Sequence, residues 1–312
     1  MGTFKKGVIA GLQTAWKLSK FIFPITFFVT LLQFTPILPW IIKLISPMLS
    51  IFGLSGEAAI PLVLGMTLNL YSGIAGILSL EMTVKEVFIL AVMLSFAHSL
   101  FIETAVALRV GVKLWIVLVV RFGLAFLSAI VINLTWDGGG EIAKYGMMPK
   151  AAANPEGWGA ITLLGLERAS LGILQLIIIV LPLMIIVQYL RDYGYLMKLS
   201  KLLAPWTKVI GVQPNASVTL VAGLVIGLAY GAGVMIQAVE EDGVSKKDVT
   251  LAFIFLVACH AVIEDTLIFA PLGIPILPLL AIRVITAFIL TIVVAQLWKR
   301  AEQKEAKGVL QQ

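Results

Sequence analysis

The sequence predicts an all-α polytopic membrane protein made of two homologous repeats, each with about five helical segments. Composition is the first observation behind this prediction. The 312-residue chain is 60% hydrophobic and only 13% charged, with a mean hydropathy of +1.03. A soluble domain of this size cannot bury so much apolar surface in one core, so the chain belongs in a lipid bilayer. The second observation is that the membrane-embedded sequence occurs twice.

The repeat is visible in residues that recur at a constant displacement. Four residues of the first half recur 162 positions later, namely His98, Glu103, Gly111 and Arg121 as His260, Asp265, Gly273 and Arg283. Five more recur 158 positions later, namely Pro24, Pro47, Gly53, Gly65 and Gly73 as Pro182, Pro205, Gly211, Gly223 and Gly231. Because charges in hydrocarbon are costly, a duplicated set predicts a binding site at the interface between the repeats.

Apolar runs between charges and Gly/Pro breaks predict five segments in each half, given that a spanning helix needs about 20 residues. In the first half they are 15–35, 36–52, 57–80, 85–109 and 112–136. In the second half they are 160–190, 193–209, 215–239, 248–270 and 274–298. The predicted organisation is a first repeat over 1–136, a hydrophilic inter-repeat loop over 137–159, a second repeat over 160–298 and a cytoplasmic tail over 299–312.

Basic residues flank both ends of the apolar sequence, which predicts the topology. They are Lys5, Lys6, Lys17 and Lys20 before or at the start of the first segment, and Lys299, Arg300, Lys304 and Lys307 after the last. The positive-inside rule places both termini in the cytoplasm, with an even number of crossings of the bacterial cytoplasmic membrane. Ten crossings, five per half, invert the second repeat. Eight crossings with parallel repeats are the alternative, in which the second segment of each half lies at the interface.

Several classes of function are disfavoured. The net charge of +6 comes from helix ends and forms no basic stripe, so nucleic acid is not an expected partner. Cys259 is the only cysteine, which excludes an intrachain disulfide. No HExxH, CxxC or G-x-S-x-G pattern is present, so we expect no enzyme and no cofactor. A metal-dependent intramembrane enzyme is the weakest of the hypotheses that stay open.

Small and polar residues mark the third segment of each half. Gly65, Asn69 and Gly73 are spaced by four, as are Gly223, Gly227 and Gly231, which predicts helix faces that pack closely. These glycines are predicted to form gates or packing faces. Asn69 and Gln237 are polar groups that need partners in a dry interior, and we count them as candidate substrate- or ion-binding residues.

The remaining candidates are ionisable residues inside apolar segments: His98, Glu103, His260, Glu264 and Asp265. Each acid that follows a histidine by five positions is about 140° away around a helix. We therefore expect Glu103 to pair with Arg121 and Asp265 with Arg283, or the pairs to cross between repeats.

Glu264 has no acidic counterpart in the first half, where Ile102 stands. It follows His260 by four positions, on the same face of a continuous helix. The pair could bind a divalent cation, pass a proton or form a structural hydrogen bond, and one histidine with one carboxylate leaves a metal site undecided.

The two copies that carry these residues read FAHSLFIETAVALRVGV and ACHAVIEDTLIFAPLGI. Together with the Gly/Pro-broken segment before each of them, they resemble the nucleoside-recognition or Gate domain family. Members of that family include domains of concentrative nucleoside transporters, of the ferrous iron transporter B and of the spore maturation proteins A and B. With two Gate copies and no GTPase domain, the chain looks most like the stand-alone bacterial members. The resemblance implies solute handling and assigns no substrate-contacting residue here.

Two functions follow as expectations. The first is a transporter or permease-like protein that moves a small polar, nucleoside-like solute or a cation. The second is a non-transporting assembly or morphogenesis factor that acts through a partner membrane protein or a second copy of the chain. Both place the protein in the lipid bilayer.

Overall fold

The computed structural model describes residues 2–144, 155–195 and 244–309, together with 198, 205, 209–213, 220, 223, 224, 227 and 228. Regular secondary structure in these residues is helical, apart from an isolated β-bridge between Thr83 and Ile142. The all-α part of the prediction is confirmed. The described helices are α1 Thr3–Gln33, α2 Ile37–Ser50, α3 Ala59–Thr67, α4 Leu70–Leu78, α5 Val84–Ala97, α6 Leu100–Arg109, α7 Leu114–Thr135, α8 Gly157–Asp192, α9 Lys246–Cys259, α10 Glu264–Leu267 and α11 Ile276–Val309.

Four described helical segments are long and apolar enough to cross a membrane. They are Val84–Arg109, Leu114–Thr135, Lys246–Leu267 and Ile276–Lys304. The first and third each contain two helices joined at a break and are largely buried inside the protein. The second and fourth expose most of their apolar side chains, as helices that face lipid do. The prediction of a membrane protein with several apolar helices is confirmed at this level.

The chain divides into two compact units, and each draws on both halves of the sequence. Unit 1 contains residues Met1–Leu100, Leu124–Tyr195 and Glu264–Leu279. Unit 2 contains residues Phe101–Gly123, Leu196–Ile263 and Leu280–Gln312. The chain passes between the units five times, and two of these passages, after Leu100 and after Ile263, lie next to the two breaks in the spanning segments.

In unit 1, the long helices α1 and α8 pack against each other in opposite directions. Thr3 at the start of α1 donates from Oγ1 to Oδ2 of Asp192 at the end of α8, over 2.9 Å. Further along, Gly11 lies against Leu181, and Phe27 near the end of α1 lies against Gly165. At 1.5 Å per residue both helices exceed the roughly 30 Å hydrocarbon core of a bilayer.

The predicted third segment of the first half, 57–80, is a helical hairpin and not one continuous helix. Leu68 leaves the helical conformation, with φ −96° and ψ −80°, and ends α3. Asn69 is extended and caps α4, because its Oδ1 accepts from the Ser72 N–H over 2.9 Å. The capping preference of asparagine is the local reason for the break. Each arm of nine residues is about 14 Å long, half of what a crossing needs.

Because of the hairpin, the glycines of the predicted stripe do not lie on one face of a single helix. Gly65 and Gly73 lie on facing arms, and a Cβ placed on Gly73 would be 3.0 Å from the Gly65 Cα. A Cβ on Gly76 would be 2.7 Å from the Pro61 Cα, so the arms are antiparallel. The prediction of a continuous stripe is wrong, since the helix ends between the glycines. Close packing at these positions is present, but between the two arms.

The described start of the inter-repeat loop is held against the beginning of α5. The Val84 N–H donates to the Glu141 carbonyl and the Lys85 N–H to the Gly139 carbonyl, both over 2.9 Å. Thr83 and Glu86 form a capping box at the start of the same helix. The end of α7 and the start of α5 therefore lie at the same end of unit 1.

Helix bounds differ from the prediction at two further places. The helix α8 begins at Gly157, inside the predicted loop 137–159. The helix α11 continues to Val309, through most of the predicted tail 299–312. Charged residues at a helix end lower mean hydropathy without interrupting the helix, so a composition boundary misses its true end.

Candidate functional site

Both histidines lie at breaks in the spanning segments. His98 ends α5 in an extended conformation, and Ser99 after it has a left-handed φ of 48°. His260 ends α9 in the same way, and Ala261 after it has φ 39°. A left-handed φ costs a residue with a Cβ roughly 1–2 kcal/mol, so packing must hold both breaks in place.

Each break is anchored to a glycine carbonyl of the preceding segment in its own unit. In unit 1 the Ser99 N–H donates to the Gly65 carbonyl over 3.0 Å. In unit 2 the Ala261 N–H donates to the Gly223 carbonyl over 3.2 Å. Both carbonyls belong to glycines that the sequence marks as equivalent. The hydrogen bonds satisfy backbone groups that a broken helix leaves open in a membrane.

The breaks overturn the helical-face reasoning that paired His260 with Glu264. The helix α9 ends at Cys259, and Glu264 begins the separate helix α10. Residues on either side of a break do not share a face at four-residue spacing. The same holds for the angle calculated between His98 and Glu103. No proline or glycine stands at either break, so the sequence gives little sign of it.

In unit 2, Glu103 of α6 and Arg121 of α7 form the ion pair that the sequence predicts. Arg121 Nη1 lies 2.6 Å from Glu103 Oε2. The Arg121 side chain is fully buried and that of Glu103 is 5% exposed. Two charges out of water are stable only when paired, and removing one partner leaves the other uncompensated.

The carboxylate also faces a histidine from the other half of the sequence. His260 Nε2 lies 3.3 Å from Glu103 Oε1, and both side chains are buried. The His260 carbonyl accepts from Arg283 Nη2 over 2.7 Å, and the Arg283 side chain is fully buried too. We call Glu103, Arg121, His260 and Arg283 the buried ionic cluster. The prediction that Asp265 pairs with Arg283 stays a prediction.

The other ring nitrogen has the same environment in both histidines. His260 Nδ1 is 2.9 Å from the Leu256 carbonyl, and His98 Nδ1 is 2.7 Å from the Leu94 carbonyl. A carbonyl only accepts, so Nδ1 carries a proton in both rings. Nε2 is therefore the nitrogen of each imidazole that is left to gain or lose a proton.

In unit 1, Glu264 contacts a residue that the sequence analysis does not single out. Tyr71 of α4 donates from its hydroxyl to Glu264 Oε1 over 3.1 Å. Both residues are half-buried, and Tyr71 packs against a small core formed by Ala15, Ala75 and Val180. A tyrosine two positions after Asn69 and directly before Ser72, in Asn-Leu-Tyr-Ser, is the signal that could have found it. Asn69, at the tip of the same hairpin, caps α4.

The remaining candidates divide between described and undescribed positions. In unit 1, His98 and Asp265 offer ligand atoms within 4.8 Å of each other. In unit 2, Gly223 is helical and buried, whereas Gly227 has φ +92° and interrupts the second predicted stripe. Gly231 and Gln237 lie outside the described residues, and their roles stay predictions.

These features define a class: an all-α polytopic membrane protein whose spanning segments are broken at buried histidines. The family model for nucleoside recognition, Gate, matches residues 15–113 and 173–288. The chain therefore belongs to the Gate nucleoside-recognition family.

A similar protein is known in Bacillus subtilis (strain 168), an uncharacterised membrane protein called YvoD. It is 61% identical over 297 residues, which cover 95% of each chain. No solved structure matches this chain. The family was expected from the two segments that carry the histidines, and both lie inside the matched ranges.

Proposed function

We propose that this protein is a transporter or permease of the bacterial cytoplasmic membrane that moves a small polar, nucleoside-like solute or a cation. The observation that carries the proposal is the pair of spanning segments broken at buried histidines. Discontinuous helices with ionisable residues at the break are a recurring way to build a solute or ion site within a membrane. The proposed role is not enzymatic and needs no cofactor.

The proposal includes two homologous repeats, and matching local contacts support it. Thr83 and Ser245 each cap the following helix, α5 and α9, by accepting from an acidic residue's N–H three positions on. Those acids, Glu86 and Asp248, each accept a backbone N–H from the preceding segment, at Ser55 and Gln213. The left-handed residues after the histidines match as well.

The direction of α1 and α8 favours an inverted arrangement. They are the first segments of the two proposed repeats, and within unit 1 they run antiparallel. Equivalent helices that run in opposite directions require an odd number of crossings in the first half. The hairpin α3–α4 returns to the side where it began, which leaves α1, α5–α6 and α7 as three crossings.

Among the described helices, the same count for the second half gives α8, α9–α10 and α11, which makes six crossings with α2 lying at the interface. We propose this number for the described residues in place of ten or eight. It keeps both termini on one side, and the basic residues at both ends favour the cytoplasm. The inter-repeat loop is then extracellular. Gly273, between α10 and α11, fits this side, because a Cβ placed on it would be 3.6 Å from the Lys144 carbonyl at the end of the described loop.

Reporter fusions test the topology directly. A fusion after residue 140 should be active only with an extracellular reporter, and a fusion after residue 309 only with a cytoplasmic one. A cytoplasmic signal at residue 140 would contradict the inverted arrangement.

Uptake by proteoliposomes tests the transport proposal. Purified protein is reconstituted and supplied with radiolabelled uridine, adenosine or sodium. Glu264→Gln should abolish the uptake of whichever probe the native protein moves, because the amide removes the ionisable group beside the hairpin. The control is Glu57→Gln, the same chemical change at an exposed carboxylate, which should keep uptake. Absence of uptake of every probe by native protein would favour the assembly factor that acts through a partner.

A further inference from the structure

We infer that Glu103 and His260 share one exchangeable proton, and that this pair is the proton site of the protein. The inference deepens the proposed function and rests on it, because it names the proton as the coupling ion. It does not pair His260 with Glu264, from which a helix break separates it, and places the proton on two residues from opposite halves of the sequence that lie in one unit.

Geometry fixes the protons on the ring. The Leu256 carbonyl accepts a hydrogen bond from His260 Nδ1 over 2.9 Å, so Nδ1 keeps its proton. The proton that can leave is therefore the one at Nε2, which faces Glu103 Oε1 at 3.3 Å. An ionised carboxylate only accepts, so a hydrogen bond between the two groups needs one proton between Nε2 and Oε1.

The proton can occupy either side of this contact. On His260 it gives an imidazolium beside a carboxylate. When the N–H bond at Nε2 breaks and an O–H bond forms at Oε1, it gives a neutral imidazole beside a carboxylic acid. Loss of the proton to water leaves a neutral imidazole beside the carboxylate. Each state is reached by moving one proton, and no other reactant is needed.

A neighbouring charge in unit 2 allows the pair to lose its proton without leaving the Glu103 carboxylate unpaired. Arg121 of α7 stays on Glu103 Oε2 at 2.6 Å and balances the carboxylate when the proton is gone. Arg283 of α11 binds the backbone carbonyl of His260 and thereby fixes the ring's position through the chain. Among the described residues of this unit, Glu103 faces the imidazole, Arg121 pairs with Glu103, and Arg283 binds the His260 carbonyl.

Nuclear magnetic resonance of the full chain labelled with ¹⁵N-histidine tests the inference, since His98 and His260 are the only histidines. The chain is placed in lipid nanodiscs and recorded from about pH 5.5 to pH 9, the range in which histidine charge changes matter. His98→Gln assigns the signals. For His260 we expect Nδ1 to stay protonated throughout and Nε2 to lose its proton in one step.

Glu103→Gln should move that step to lower pH, because the amide no longer favours the imidazolium. If this variant does not fold, Glu103→Asp keeps the charge for Arg121 and withdraws the carboxylate from Nε2, so it should move the step in the same direction by less. Glu57→Gln, at an exposed carboxylate, should leave the step in place.

Three results would overturn the inference. They are a His260 Nδ1 without a proton, a His260 ring whose proton count stays constant over the whole pH range, or a deprotonation step whose midpoint pH is the same in both Glu103 variants as in the native protein. The measurement needs no solute, so it separates the two proposals. If His260 loses its proton as expected but the protein takes up no solute, transport alone is refuted. If the protein takes up solute but the His260 ring does not respond to pH, the proton site alone is refuted.

Discussion

The break after His98 and the break after His260 have the same backbone and different acids beyond them. Both end a buried helix, continue through a left-handed residue and donate an N–H to a glycine carbonyl. Beyond the first break, Glu103 is buried in an ion pair with Arg121. Beyond the second, Glu264 is half-buried and bonded to the neutral hydroxyl of Tyr71. The duplicated scaffold is the same, and the second break carries an additional acid, Glu264, at the position where the first carries Ile102.

The comparison teaches which features the scaffold requires. Backbone contacts present at both breaks serve to hold the chain, since each copy needs them to pack. Side-chain contacts present at one break are free to serve a site. By this criterion the glycine anchors are structural, whereas the different partners of Glu103 and Glu264 belong to the chemistry.

The largest expected effect is at the ion pair beyond the first break. Arg121→Gln leaves the Glu103 carboxylate buried without its partner, and we expect a loss of about 3–5 kcal/mol in the free energy of unfolding. Chemical denaturation in detergent micelles measures it. The double variant with Glu103→Gln should recover much of the loss, because no unpaired charge then remains. A loss below about 1 kcal/mol in the single variant would show that the pair matters little.

The glycine anchors should respond alike if both breaks share one scaffold. A Cβ on Gly65 would lie 2.5 Å from Leu94 Cδ2, and a Cβ on Gly223 would overlap Leu256. We expect Gly65→Ala and Gly223→Ala each to cost about 1–2 kcal/mol of unfolding free energy, after the helix preference of alanine is counted. The control is Gly123→Ala in α7, where the added methyl meets open space and should be neutral or slightly stabilising. Unequal losses at the two anchors would break the comparison.

Glu264, beyond the second break, accepts a hydrogen bond from the Tyr71 hydroxyl of α4. This bond should contribute less to the free energy of unfolding than the ion pair beyond the first break. Tyr71→Phe removes one hydrogen bond to Glu264 and should cost about 1 kcal/mol. A double-mutant cycle with Glu264→Gln measures the coupling between the two side chains. A coupling as large as that between Glu103 and Arg121 would mean that the neutral hydroxyl stabilises the fold as much as the buried ion pair, which contradicts the comparison.

The smallest effect should be an increase in the free energy of unfolding when the two left-handed residues are replaced. Ser99→Gly and Ala261→Gly each remove the strain of a Cβ at positive φ, which is partly offset by the greater freedom of glycine in the unfolded chain. We expect each variant to be more stable by about 0.5–1 kcal/mol, as a rise in the denaturation midpoint at unchanged slope. A gain at one position alone would show that the two breaks are held differently.

The sequence predicts the helical class, the membrane environment and the family well, because these depend on composition and on residues that recur at fixed displacement. The pairing of Glu103 with Arg121 is predictable too, since a buried charge needs an opposite one. The breaks are not predictable in the same way. His98 and His260 stand in uninterrupted apolar runs, and tertiary contacts, among them those to Gly65 and Gly223, hold the chain out of the helix.

The hairpin and the proton pair escape the sequence for related reasons. Asn69 reads as a polar residue on a glycine stripe until its side chain is seen to cap α4. His260 and Glu103 are far apart in the chain, and their meeting depends on a path that no local pattern encodes. Local patterns can name the residues of a site, but its pairings depend on how distant segments pack.

The exchange of segments between the two units has a consequence for biosynthesis. Unit 2 needs residues 101–123 from the first half and 280–312 from the last part of the chain. When only the first half of the chain has been synthesised, Glu103 enters the bilayer before His260 exists. At that stage Arg121 is the partner that can neutralise it. Assembly must wait for the C-terminal spans, and two half-chains cut in the inter-repeat loop should be inactive singly and regain activity when made together.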